Sequence, residues 1–198
     1  MPNKYPKKET PLDHDVDPFL TKRWSPLAFS DEPIEQKKID SFFEAARWAP
    51  SSFNEQPWRY VYATKENTKQ FDTLASLLSE GNVWAKEAFM LMVITAKQNF
   101  DYNDRPNKHH QYDTGAATEN LFLQAVSMDL IAHEMAGFDS DKAHKILRIP
   151  DNVSVIAMMA IGYPGNNKDL DSELLEREEA ERKRRKVKTF AYKGIWSE

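Results

Sequence analysis

The sequence predicts an α+β fold, and three observations carry that expectation. Residues 88–95 and 153–161 are continuous apolar runs of strand length. Residues 34–48 place apolar side chains at helical spacing, and residues 113–135 do so over a much longer stretch. Strands and helices therefore alternate along one chain.

Taken in order, the Lys/Pro-rich start at 1–8 reads as a frayed terminus, so residues 1–18 are expected to be flexible and 19–198 to form a single domain. In the first helix, Ile39, Phe42, Phe43 and Ala46 share a face, Pro33 suits the first turn, Ser30 or Asp31 supplies a cap, and Pro50 ends the run. Residues 59–63 alternate and are rich in Val and Tyr, as a strand is, and 66–78 returns to a helical pattern. The run AFMLMVIT at 88–95 suits a central strand covered on both faces. From 113 to 135, Ala117, Leu121, Leu123, Ala125, Met128 and Ile131 describe a long helix apolar around much of its girth, fit for a core or a subunit interface. Residues 139–147 suit a short helix capped by Asp139 or Ser140, and the 153–161 strand is closed by the turn residues Gly162, Tyr163, Pro164 and Gly165. Residues 170–186 carry acids early and bases late, the order that complements a helix dipole. The tail from 187 to 196 holds Val187, Phe190, Tyr192, Ile195 and Trp196, which must pack on their own domain or on another subunit.

Composition narrows the chemistry. The 198 residues are 40% hydrophobic and 29% charged, enough for one sizeable core. Lys+Arg 27 against Asp+Glu 31 gives a net charge of -4, which leaves no dominant basic field for nucleic acid. No apolar run is long enough to span a bilayer and the start lacks a secretory pattern, so a soluble, cytoplasmic protein with no membrane partner is expected. Cysteine is absent, which removes disulfides, thiolate metal sites and cysteine nucleophiles; redox chemistry would have to come from a bound cofactor. His109, His110 and His133 lack ligand spacing, so no metal is expected. Dinucleotide fingerprints, phosphate loops and nucleophile elbows are also missing.

Four segments carry candidate chemistry. The loop Pro50-Ser-Ser-Phe-Asn-Glu-Gln-Pro-Trp58 is dense in hydroxyls and amides; Ser51, Ser52 and Asn54 could hold a polar ring edge or a phosphate, or simply satisfy the loop's own backbone. Arg23, in Arg23-Trp24-Ser25-Pro26 just ahead of the first helix, offers a planar donor fork suited to phosphate. The cluster 182–186 is a second arginine source, or else a solvated helix end. In the stretch 133–139, Ala136 and Gly137 let backbone approach something flat, although Gly137 also reads as an ordinary helix cap.

These residues together resemble the nitroreductase family, in order from about Arg23 to Trp196. The most specific stretch, residues 50–58, is similar to the family's Pro-Ser-x-x-Asn-x-Gln-Pro-Trp, and Arg23-Trp24-Ser25 resembles its Arg-x-Ser. Gly115 with residues 120–125, then 135–139, then 160–164, then Arg182-x-Arg184 with Gly194 and Trp196 follow in family order. The resemblance implies a nitroreductase-like α+β fold with a central, mainly antiparallel sheet flanked by helices, and a homodimer whose C-terminal arm extends to the partner subunit. It implies FMN held between subunits by Arg23, Trp24 and Ser25 with Arg182 and Arg184 at the phosphate. Ser51, Ser52 and Asn54 would come from the other subunit, Asn82 would meet the pyrimidine edge, and Met135, Ala136 and Gly137 would lie by the ring. Such a protein would pass reducing equivalents from NADH or NADPH to nitroaromatics, quinones or similar electron-poor substrates by ping-pong turnover, with no catalytic side chain of its own. The same site would also suit dehalogenation, enone reduction or flavin cleavage, or a flavin carrier or sensor with little turnover. One departure stands out: many relatives have Arg or Lys two residues after the Ser, and here the residue is Leu27.

Overall fold

The computed structural model describes residues 4–197. Ten regular elements follow in order: α1 Pro18–Lys22, α2 Gln36–Arg47, β1 Trp58–Thr64, α3 Thr68–Ala75, β2 Met90–Lys97, α4 His110–Ser127, β3 Ile131–Met135, α5 Ser140–Ile146, β4 Val153–Gly162 and α6 Ser172–Glu179. The four strands form one antiparallel sheet in the order β1-β2-β4-β3. The α+β expectation with a central antiparallel sheet holds.

The unbroken apolar run explains the centre. Met90 through Val93 have no exposed surface, so β2 is covered on both faces, as a strand without polar alternation must be. Helix α4 lies against all four strands, α2 packs on α4, α3 covers β1 and β2, and α5 covers β4. Ile39, Phe42 and Ala46 of α2 are buried as their spacing predicts, but its N-cap is Glu35 with no side-chain bond, rather than Ser30 or Asp31. Asp139 caps α5 as expected, accepting from Lys142 N.

Four expectations need correction. The long helix of 113–135 is instead α4 followed by β3. Asp129 adopts φ 60, a left-handed turn that stops the helix, and Ile131–Met135 then pairs with β4. The apolar pattern that reads as continued helix is thus an edge strand, because pairing satisfies the backbone as well as a helix would. Helix α6 ends at Glu179, with Ala180 already extended, so the bases 182–186 are not a helix end. Residues 163–165 do not make a free turn: Phe29 bridges Pro164, and Gly165 N donates to the Ala28 carbonyl at 2.8 Å. Against the expectation of a frayed start, Tyr5 is buried at 6% exposure; Met1 to Asn3 lie outside the described residues. Among the described residues, no helix is long and apolar enough to cross a membrane.

Candidate functional site

Arg23 is the C-cap of α1, which therefore precedes it, and Arg182 and Arg184 follow α6 in chain without regular structure. The fold brings these distant segments to one groove of about 880 Å³, where Arg23, Arg182, Arg184, Arg185 and Lys186 all line the wall. Like charges so placed repel: Arg182 is pushed below its ordinary value first by desolvation and then by Arg23 and Arg184. An anion in the groove would relieve that cost. Three of the Arg182 N–H groups are already used, Nη1 donating to Thr10 Oγ1 (2.6 Å) and the Thr21 carbonyl (2.7 Å), and Nη2 to the Arg23 carbonyl (2.9 Å).

The Arg23 guanidinium approaches Glu119 at 3.7 Å and lies 5.1 Å from the Phe122 ring centre. Desolvation pushes Glu119 above the ordinary carboxylate value and also raises Glu134, to which the Glu119 charge adds; Arg23 opposes both. Trp24 and Ser25 do not line the groove. Trp24 instead turns to the N-terminus, its Nε1 donating to the Pro6 carbonyl at 2.9 Å.

A second cluster joins residues 55 positions apart. The Asn82 amide donates to the Gly137 carbonyl at 2.9 Å, and the Ser79 hydroxyl donates to the same oxygen at 2.7 Å. Gly137 is not a helix cap; it follows β3, where Met135 is buried. Its role is close approach, since an added Cβ would lie 2.6 Å from Asn82 Nδ2 and 2.8 Å from Ser79 Oγ. Ala136 beside it is exposed.

The third cluster is the 51–56 loop. Phe53, Asn54 and Gln56 have φ of 53, 55 and 52, an unusual density of left-handed non-glycine residues. The loop is held from inside by Ser51 Oγ, which accepts from Gln56 N at 3.0 Å, and from α4 by Asp113, whose Oδ2 accepts from Ser52 N at 3.0 Å. Asp113 is buried at 4% exposure. Ser51 thus does serve its own backbone, while Asn54 is exposed. None of these loop residues lines the arginine groove of the same chain.

Sequence reading misses Thr10, Ser79 and Asp113. Nothing local marks Thr10, which acts across 172 positions; Ser79 does sit three residues before Asn82, but its partner is set by the fold. Among the described residues no group of three or more His, Asp or Glu could hold a metal ion.

Arg23, Arg182 and Arg184 thus share one groove, and Gly137 lies against the Asn82 amide on the same antiparallel-sheet scaffold. The Nitroreductase family model matches residues 20–87 and 63–163, and the chain belongs to the nitroreductase family. A solved structure described as an oxidoreductase containing FMN is 34% identical, with a TM-score of 0.89, covering 100% of this chain and 99% of that one. An uncharacterised 15.4 kDa protein of Mycolicibacterium smegmatis is 36% identical over 126 residues, 64% of this chain and 84% of that protein. An Archaeoglobus fulgidus protein, 26% identical over 151 residues (74% of this chain, 84% of that protein), carries the provisional name NADH dehydrogenase/NAD(P)H nitroreductase.

Proposed function

We propose that this chain is an FMN-dependent oxidoreductase that works as a homodimer, taking reducing equivalents from NAD(P)H and passing them to nitroaromatics, quinones or similar electron-poor small molecules. The observation that carries the reading is the meeting of Arg23, Arg182 and Arg184 in one groove. Family membership, the FMN of the 34% identical structure and the name of the A. fulgidus relative support it.

The residues fit an FMN phosphate because Arg23, Arg182 and Arg184 share one groove, and the desolvation and then the mutual repulsion that weigh on Arg182 are what a dianion would offset. Hydride chemistry would be supplied by FMN when bound. The chain's own work is to bind and orient. Arg23, paired with Glu119, and Arg184, with one Nη1 bond to the Lys183 carbonyl, would turn their remaining donors to the phosphate, and Arg182 keeps two N–H groups after its three internal bonds. Ser79 and Asn82 fix the Gly137 carbonyl, so that the backbone of 135–137 would be held in place to lie beside the flavin ring. Ser51, Ser52 and Asn54 would reach the flavin of the partner subunit, which accounts for a rigidly held loop lying away from its own arginine groove. The exposed Phe190, Ile195 and Trp196, at 63%, 80% and 76%, are the arm that the partner would cover. The chain is expected to work in the cytoplasm.

The test is an absorption spectrum of the purified protein before and after anaerobic NADH, then NADPH, with the released cofactor identified by mass. A flavin spectrum that bleaches supports the reading and names the donor. A colourless chain that FMN cannot reconstitute overturns it.

A further inference from the structure

We infer that the N-terminal strap, residues 4–13, is part of the phosphate-holding site, with Thr10 as the positioning residue that sets the Arg182 guanidinium. The inference rests on the FMN reading above. Neither the strap nor Arg182 falls within residues 20–163, the span that the family model matches.

The strap is anchored at both of its ends. At one end, the buried Tyr5 hydroxyl donates to the Trp24 carbonyl at 3.2 Å and accepts from Trp24 N at 3.3 Å, while Trp24 Nε1 holds the Pro6 carbonyl. Lys8 lies 4.4 Å from the Trp24 ring centre and crosses to donate to the Glu178 carbonyl. At the other end, Asp13 pairs with Lys186, itself a groove residue. Thr10 stands between these anchors and receives the 2.6 Å bond from Arg182.

That bond matters because an arginine side chain has many rotamers to lose when it is fixed. Free in solution, Arg182 would lose that freedom on meeting a phosphate. Held by Thr10, the Thr21 carbonyl and the Arg23 carbonyl, it is already ordered, and the same bonds tie it to the backbone of Arg23, itself a groove residue. Pre-ordering of this kind lowers the cost of binding. By linkage, whatever the strap contributes to phosphate binding, phosphate binding returns to the strap.

The experiment compares FMN with riboflavin, which has the ring and lacks the phosphate, binding to the full-length apoprotein followed by flavin fluorescence. Thr10→Val removes the acceptor at nearly constant shape, and Thr10→Ser keeps it. The expected result is a loss of FMN affinity of about tenfold in Thr10→Val, the order of one charge-assisted hydrogen bond, with riboflavin unchanged and Thr10→Ser close to wild type. FMN, and not riboflavin, should also slow tryptic cleavage at Lys7 and Lys8. Unchanged FMN affinity in Thr10→Val, or equal weakening of both ligands, overturns the inference while leaving the FMN reading intact. A wild-type chain that binds neither flavin overturns the functional reading, and this inference with it.

Discussion

The Glu178 carboxylate accepts the Leu27 backbone N–H at 2.8 Å, across 151 positions of sequence. Both residues are buried, at 4% and 3% exposure. Leu27 stands where the family resemblance leads one to expect a base, and here its side chain belongs to the core rather than the groove. Arg185 and Lys186, by contrast, do line the groove. A base at 27 would bring its charge into the same buried corner as Glu178; leucine leaves that carboxylate to the backbone.

Burial pushes Glu178 above its ordinary value, against the bond from Leu27 and the nearby Lys8 charge. A raised carboxylate contributes stability that is fully present below the ordinary value of 4.5 and is lost as pH rises through the folded value. Glu178→Gln keeps an acceptor and removes the charge, so urea denaturation at pH 7 should find it as stable as wild type or more so. The advantage should shrink toward pH 5. Glu178→Ala leaves the Leu27 N–H unpaired and should lose about 1 to 3 kcal/mol. A Glu178→Gln variant destabilised equally at both pH values would contradict the assignment.

His133 has the opposite sign. Burial holds it below its ordinary value, outweighing the contact of Nδ1 with the Pro26 carbonyl at 3.1 Å; its ring sits edge-on to Trp84 with centroids 4.7 Å apart. A depressed base contributes stability present above the ordinary value of 6.5 and lost as pH falls through the folded value. Melting temperatures of wild type and His133→Gln between pH 7.5 and 5 should therefore converge on acidification, as the wild type loses more. Parallel curves would place the His133 proton elsewhere.

Much of this architecture is legible in sequence, for identifiable reasons. The runs at 88–95 and 153–161 have no helical alternative of similar length, so β2 and β4 follow from pattern alone. β3 does not, because Leu130, Ile131 and Ala132 extend the apolar face of α4 and only the left-handed Asp129 separates them. The arginines at 23, 182 and 184 are visible as residues, but their meeting depends on α6 ending at Glu179, which a continuous charge pattern conceals. Thr10 carries no local signal at all, since its partner lies 172 residues away.

Gly137→Ala gives a direct test of the second cluster. A Cβ there would sit 2.6 Å from Asn82 Nδ2 and 2.8 Å from Ser79 Oγ, so one must move. Overpacking of this kind costs about 1 to 3 kcal/mol. Adding Asn82→Ala opens the space, and the double variant should be less destabilised than the sum of the two singles in a denaturation cycle. Strict additivity would show that the contact does not carry the strain.

The last prediction concerns Asp113 and the loop it holds. Asp113 stands in the first turn of α4, where a carboxylate is favoured by the dipole, and its Oδ2 reaches out to the Ser52 N–H. Phe53, Asn54 and Gln56 are all in left-handed conformations that side chains resist, so the loop keeps its shape only while such bonds over-determine it. Asp113→Ala removes the anchor and leaves Ser52 N–H without its acceptor, for about 1 to 3 kcal/mol. Asp113→Asn keeps an oxygen for Ser52 and should cost less. If the loop serves the flavin of the partner subunit, Asp113→Ala should weaken FMN and riboflavin alike, because the loop would touch the ring and not the phosphate. Amide exchange at Ser52 through Gln56 should rise in parallel. Faster exchange with flavin affinity unchanged would mean that the loop is rigid for a reason other than the cofactor.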